Sequence, residues 1–323
     1  MGRSLTDETV LYGPHPLRIA SIGECMVELA PQGEAQYCQS FAGDSYNTAY
    51  YLQRLLAGRA RVGYVTALGD DRLSTAMCQH LADAGLDTSW VRRLSGRRPG
   101  LYMIENDGEG ERVFHYWRDS SAARALLDGP EADEMLQRLA GFDAVYLSGI
   151  SLAILPESAR ARLVACLHKR TGLLAFDPNF RPALWASPAQ ASEAMRALVG
   201  CGATVLTTLD DETLLHGYDQ PEQVIEHWQQ RGAVEVVVKQ GAEGCIVACG
   251  GERLHIPAEA GIRPIDTTGA GDSFNAGYLA ARLSGLAALD SARLAHRLAG
   301  TVIQYRGAIV PQTIALPDMT PGQ

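Results

Sequence analysis

Short apolar runs alternate with segments of helical spacing along most of the chain, and that alternation predicts the fold. Residues 17–22 form an apolar run that stops at Gly23-Glu24 and reads as a buried strand. Residues 47–57 place Ala49, Leu52, Leu55 and Leu56 on one side, the spacing of a helix. A strand over 61–67 stops at Gly69-Asp70, and a helix over 73–84 is closed by Gly85 as its C-cap. Between Trp90 and Trp117 the rhythm changes. Residues 101–105 and 112–117 are strand-like, and Asn106-Asp107-Gly108-Glu109-Gly110 between them has turn composition. Two neighbouring strands inside a strand–helix chain predict an inserted β-hairpin, the kind of element that forms a lid.

From residue 131 the alternation is regular. Helices are predicted over 131–139, 158–169, 189–199 and 222–231, and strands over 144–147, 173–176, 203–207 and 234–239. A hairpin of 244–248 and 253–256 turns at Gly250-Gly251, and helices over 273–283 and 291–305 follow. Repeated β-α-β units with short apolar strands imply an α/β fold: a mostly parallel sheet covered by helices on both faces. Ligands of such folds sit beyond the carboxyl ends of the strands. No internal repeat, low-complexity tract or linker separates two large domains.

Composition narrows the function classes. The 323 residues are 46% apolar and 20% charged, enough for a core that needs no disulfide or metal. The formal charge of −9 argues against a nucleic-acid partner. The seven cysteines are odd in number and scattered without a CxxC pair, so a reduced, cytoplasmic protein is expected and zinc is not. Residues 1–17 lack the pattern of a signal peptide, and no apolar run reaches the length of a membrane span.

The segment DTTGAGDSFNAGYLA at 266–280 carries the most chemistry. Gly269 and Gly271 have no Cβ, so the backbone can turn tightly and approach a ligand. With Ala270 they form the turn before a predicted helix, whose N-terminal amides and dipole at that turn favour negative charge, as on a phosphoryl group in transfer. Asp272 is placed to take a proton from an attacking hydroxyl. The plainer alternative is that Asp272 simply caps the helix. There is no GxxxxGK[ST], and no Gly-Lys dipeptide, which excludes a P-loop. The GxG lies near the C-terminus rather than after the first strand, which excludes a dinucleotide fingerprint.

That segment resembles the second signature of the PfkB (ribokinase-like) carbohydrate kinases. The first signature, usually Gly-Gly before a polar residue and then Asn-x-Ala, is similar to Ala42-Gly43-Asp44-Ser45-Tyr46-Asn47-Thr48-Ala49, with Ala42 in place of a Gly. The similarity runs from Arg18 to Pro311. Within the family the chain most resembles the 2-keto-3-deoxygluconate kinases, on IGECMVEL at 22–29, RRPGLYMIE at 97–105, YWR at 116–118, YLSGISLAIL at 146–155, FDPNFRPALW at 176–185, TLDDE at 208–212 and VIQYRGAIVP at 302–311.

The resemblance implies a three-layer ribokinase-like kinase domain over 18–316, between tails at 1–17 and 317–323. Lid strands would come from about 35–43 and 98–118, and the open lid edge could pair with a second copy. It also implies ATP-dependent phosphorylation of 2-keto-3-deoxygluconate at its terminal hydroxyl, with Asp272 as base and the 269–271 amides around the phosphoryl group. Gly43, Asp44, Ser45, Tyr46 and Asn47 would bind sugar hydroxyls, and Tyr102 and Tyr116 would cover the sugar from the lid. Arg118 and Arg181 would hold its carboxylate, since guanidinium forks match carboxylates. Glu24 is either a further sugar neighbour or an exposed loop carboxylate. On the nucleotide side stand Thr208, Lys239, Gly241, Gly244 and His296. The family's Asn-x-x-Glu appears as Thr208-Leu209-Asp210-Asp211, so Asp211 or Glu212 would act on magnesium through water, with no direct ligand assigned. A monovalent cation such as K⁺ could also be required. The alternatives are another PfkB sugar kinase, such as a fructokinase or ribokinase, a non-catalytic sugar-sensing protein, and, remotely, a nicotinamide-dependent dehydrogenase.

Overall fold

The computed structural model describes residues 15–33, 35–106 and 112–319; the expected tails before 15 and beyond 319, and the turn at 107–110, lie outside the described residues. Among the described residues the first elements are β1 (Leu17–Ile22), β2 (Met26–Pro31) and β3 (Tyr37–Ala42), followed by α1 (Asp44–Leu55), β4 (Ala60–Leu68) and α2 (Arg72–Asp83). The Asp71 carboxylate accepts from the amides of Leu73 and Ser74 to start α2. The helix ends beside Gly85 at φ +81, the predicted stop. β5 (Val91–Arg93), β6 (Leu101–Asn106) and β7 (Arg112–Trp117) complete this half.

The second half runs α3 (Glu131–Leu139), β8 (Ala144–Ser148), α4 (Gly149–Ile154), α5 (Glu157–Leu167), β9 (Leu173–Asp177) and α6 (Pro188–Val199). It continues with β10 (Thr204–Thr208), α7 (Leu209–His216), α8 (Pro221–Gln230), β11 (Glu235–Lys239), the hairpin β12 (Cys245–Cys249) and β13 (Glu252–Ile256), then α9 (Ala270–Leu283) and α10 (Ala288–Val302). Two short helices escape the periodicity. α4 is set by a reciprocal Ser148–Ser151 capping box, and α7 by the Thr208 hydroxyl accepting from the Asp211 amide. Neither carries a clear apolar stripe over its 6 or 8 residues.

Among the described residues the strands form two sheets. The large one has the order β13-β12-β11-β10-β9-β8-β1-β4-β5, parallel except where β12 and β13 run antiparallel at one edge. Alternate side chains enter opposite cores. Ala144 and Tyr146 of β8 join α1, α9 and α10 on one face, while Val145 and Leu147 join α3, α5, α6 and α8 on the other. Both faces being covered explains why these strands read as continuous apolar runs. The second sheet, β3-β2-β6-β7, contains the strands expected to form a lid. The expectation of strands near 35–43 and 98–118 needs one correction. β2 is also a lid strand and pairs with both β3 and β6. Its sequence MVELAP mixes a carboxylate and a proline with apolar residues, so only pairing with its neighbours defines it as a strand.

Candidate active site

The carboxyl ends of the large sheet open into a cleft of about 920 Å³ beneath the lid. Glu24 follows β1, Asp177 ends β9, Thr208 ends β10 and Lys239 ends β11, and all four line it. From the other side come the 269–272 turn, the start of α1 and the lid residues Met26, Tyr102, Phe114 and Tyr116. Gly43 admits α1 to this wall, because a Cβ there would lie 2.3 Å from the Glu24 carbonyl oxygen.

Gly269 is the N-cap of α9, at φ +75, so Asp272 stands in the first helical turn and is not the cap. That removes the plainer reading of this residue. Asn47 Nδ2 donates to Asp272 Oδ2 at 2.7 Å, and Thr48 Oγ1 donates to the Asp272 carbonyl at 3.2 Å, so the two signature segments meet. Burial, then the nearby Asp44 and Asp177 carboxylates, push the Asp272 carboxyl up to about 7, against the lowering effects of Asn47 and Lys239. A carboxyl poised there suits a general base near neutral pH.

Lys239 does not reach bulk solvent. Its Nζ is buried, 3.1 Å from Asp177 Oδ2 and 3.0 Å from Asn275 Oδ1, and 3.6 Å from where a Cβ on Gly271 would stand. A fixed ammonium thus flanks the positive end of α9, and the pair makes an anion site stronger than either alone. Asn275 Nδ2 donates to Asp177 Oδ2 at 2.6 Å, and Asn179 Nδ2 donates to Asp44 Oδ2 at 2.9 Å. Asn179 holds a left-handed φ of 35, which few residues other than glycine adopt. Asp177 and Asn179 were missed as site residues in the sequence. The signal was available in Asp-Pro-Asn at the carboxyl end of a buried strand.

Each of the two expected carboxylate-binding arginines is already paired. Arg118 is buried and its Nη2 lies 2.5 Å from Glu24 Oε2. Glu24 is therefore a buried wall residue rather than an exposed loop carboxylate, and its Oε1 has no hydrogen-bond partner. Arg118 also lies over the Tyr116 ring, 5.9 Å from its centroid. Arg181 is half-exposed, and its Nη1 donates to Asp211 Oδ1 at 3.0 Å. Burial raises the Asp211 carboxyl, and Arg181 opposes that rise.

Gly43, Asp44, Asn47, Tyr102, Tyr116, Arg118, Arg181, Thr208, Lys239, Gly269, Ala270, Gly271 and Asp272 all border the cleft. Five expected residues do not. The Ser45 hydroxyl bonds Tyr64 at 3.0 Å and the Tyr46 hydroxyl bonds His80 Nε2 at 2.7 Å, both turned into the core by the helical rotation of α1. His296 packs edge-on to Phe274, and burial pushes its imidazole down to about 4. Gly241 and Gly244 frame the turn between β11 and β12, outside the cleft lining. Glu212 is corrected too. It is fully buried, accepting from Thr207 Oγ1 and Trp228 Nε1 at 2.7 Å each, and cannot face a nucleotide.

Seven carboxylates line the cleft (Glu24, Asp44, Asp177, Asp210, Asp211, Asp266 and Asp272) against three bases (Arg118, Arg181 and Lys239). A polyphosphate entering that field needs a cation to accompany it. Among the described residues no three acidic, imidazole or thiol groups converge to hold a metal by themselves.

Residues 17–315 match the model of the pfkB family carbohydrate kinases. The chain is 46% identical to 2-dehydro-3-deoxygluconokinase of Dickeya dadantii over 303 residues, 91% of this chain and 96% of that one. It is 45% identical to the protein of that name from Escherichia coli K12 over 305 residues, 91% of this chain and 97% of the relative. A fructokinase from Xylella fastidiosa, solved with bound ATP, superposes with a TM-score of 0.77 over 90% of this chain and 93% of its own, at 20% identity.

Proposed function

Since the chain belongs to the pfkB family of carbohydrate kinases, with the ribokinase-like α/β fold, we propose that it phosphorylates 2-keto-3-deoxygluconate with ATP. The products are ADP and the sugar acid's 6-phosphate. The observation that supports this best is the convergence of Asp272, the α9 N-terminus and Lys239 in one cleft with Arg118 and Arg181.

Asp272 takes the proton of the terminal hydroxyl as its oxygen attacks the γ-phosphorus of ATP. The bond from that phosphorus to the β–γ bridging oxygen breaks, and ADP departs with the electron pair. Charge developing on the transferred group is met by the first amides of α9 and by Lys239 Nζ, both held in place before the reaction. Asp177 and Asn275 keep Lys239 aimed, and Asn47 keeps the Asp272 carboxylate facing the cleft. Mg²⁺ bound to the phosphates would neutralise them, with Asp210 and Asp211 on the cleft wall toward it and water completing its shell. The lid aromatics exclude water from the sugar, which limits ATP hydrolysis. We place the protein in the cytoplasm; its seven cysteines are all free, and no described helix is long and apolar enough to cross a membrane.

A second reading, a kinase for a neutral sugar, has one observation in its favour: Glu24 and Asp211 already neutralise the two arginines. A coupled assay across keto-deoxy acids, fructose and ribose decides. The acid should be turned over best, and Arg118→Ala or Arg181→Ala should raise its KM by about tenfold or more through loss of a charged hydrogen bond, with little change for a neutral sugar. Good turnover of fructose or ribose with none of any keto-deoxy acid would overturn the substrate assignment. No ADP release with any sugar would favour a non-catalytic sensor.

A further inference from the structure

Next to the cleft lining, on the same face of the lid sheet, stands a further group of polar side chains. Glu28 sits in the middle of β2, directly opposite Ser40 on β3 and Tyr102 on β6. Opposed residues of a sheet project to the same side, so the three share one face. Ser40 Oγ donates to Glu28 Oε1 at 2.7 Å, and the Tyr102 hydroxyl donates to Glu28 Oε2. Tyr102 borders the cleft and Glu28 does not, so the carboxylate acts on the site through Tyr102, from beside it on the same face of the sheet.

We propose that Glu28 is a positioning residue that fixes the hydrogen-bonding sense of Tyr102. A phenol has one proton. With that proton committed to Glu28, the Tyr102 oxygen offers the cleft lone pairs alone and accepts from a hydroxyl of the sugar. A carboxylate or keto oxygen placed there would meet a second acceptor, so the acid end of the substrate is left to Arg118 and Arg181. The inference rests on the reading that this cleft binds a hydroxylated sugar acid, and it adds a determinant of how that acid is oriented. Ser40 contributes by donating to the other oxygen of Glu28, which helps hold the carboxylate in place against Tyr102.

A double-mutant cycle on the full chain tests it, with Glu28→Gln, Tyr102→Phe and the two combined. The sugar used is whichever one the wild type phosphorylates best, so a wrong substrate assignment changes the sugar and not the cycle. Each single change should raise the sugar KM about five- to tenfold, the range expected for one hydrogen bond in a site, and leave the KM for ATP unaltered. The combined variant should match Tyr102→Phe alone, because the carboxylate acts only through the phenol. Penalties that multiply in the combined variant, or an unchanged sugar KM in either single variant, would overturn the proposal. Should Glu28→Gln disturb the lid, seen as a lowered unfolding temperature, Ser40→Ala takes its place. It should raise the sugar KM about twofold in the wild type and not at all in the Tyr102→Phe background; a rise in both would count against Glu28 as decisively.

Discussion

Asp272 is one carboxyl asked to be neutral or charged near physiological pH, and its neighbours decide which. Removal from water and the closeness of Asp44 and Asp177 raise it to about 7, while Asn47 and Lys239 favour the charged form. As a base it must be ionised, so kcat/KM should fall as pH drops below about 7, tenfold per unit once well below that value. A flat profile from pH 8 to pH 5.5 would remove Asp272 from the role. Asp272→Asn keeps the shape and loses the base, and kcat should fall by about 10²–10⁴-fold with sugar affinity by calorimetry within a few-fold of the wild type. Near-normal turnover in that variant would sink the mechanism. The arginines teach a related lesson at this scale. A guanidinium in a motif suggests an anion partner, but the folded chain already supplies Glu24 and Asp211 as partners, and the substrate must share them.

The element that matters most is the start of α9. Gly269 gives it a left-handed residue at φ +75, and a Cβ added there would stand 2.7 Å from the Ala308 Cβ and 2.9 Å from its Cα. Gly269→Ala therefore combines backbone strain with a clash, and should cost about 1–3 kcal/mol in urea unfolding. It should also lower kcat, because the amides of the turn are displaced from the phosphoryl path. Wild-type stability and turnover in that variant would show that the turn tolerates a side chain and has no need of its conformation. The lid belongs to the same scale. Its inner strand β2 hydrogen-bonds on both sides and carries Glu28, so the sheet joins two stretches of chain that lie far apart in sequence, 26–42 and 101–117.

Across the whole molecule, the cleft gathers more negative charge than positive before any ligand enters, and a site arranged for function at the expense of stability follows. A carboxyl whose folded value is about 7, against an ordinary 3.8, costs stability that is fully felt above pH 7 and fades as pH falls toward 4, where the unfolded chain also takes up the proton. Asp272→Asn should accordingly unfold at a higher temperature than the wild type at pH 8, and the gap should close as the pH approaches 4. An equal or lower unfolding temperature at pH 8 would mean that Asp272 is not held at an energetic cost.

The sequence by itself determined the layered α/β fold, because strands covered on both faces must be apolar throughout and helices between them must show a 3.6-residue stripe. It also determined the 269–272 turn, the 43–47 segment and the family, because local backbone geometry demands particular residues at fixed spacing. Tertiary structure decided what no local pattern encodes. α1 turns Asn47 toward Asp272 and Ser45 and Tyr46 into the core, a matter of helical phase against a sheet formed by distant segments. Lys239, Asp177 and Asn275 lie far apart in the chain and become one hydrogen-bonded group only when β9, β11 and α9 converge. Whether Glu212, Glu24 or Glu28 faces ligand, arginine or tyrosine depends on which partner is nearest once water is excluded. The residue type is written in the chain, and its partner is chosen by packing.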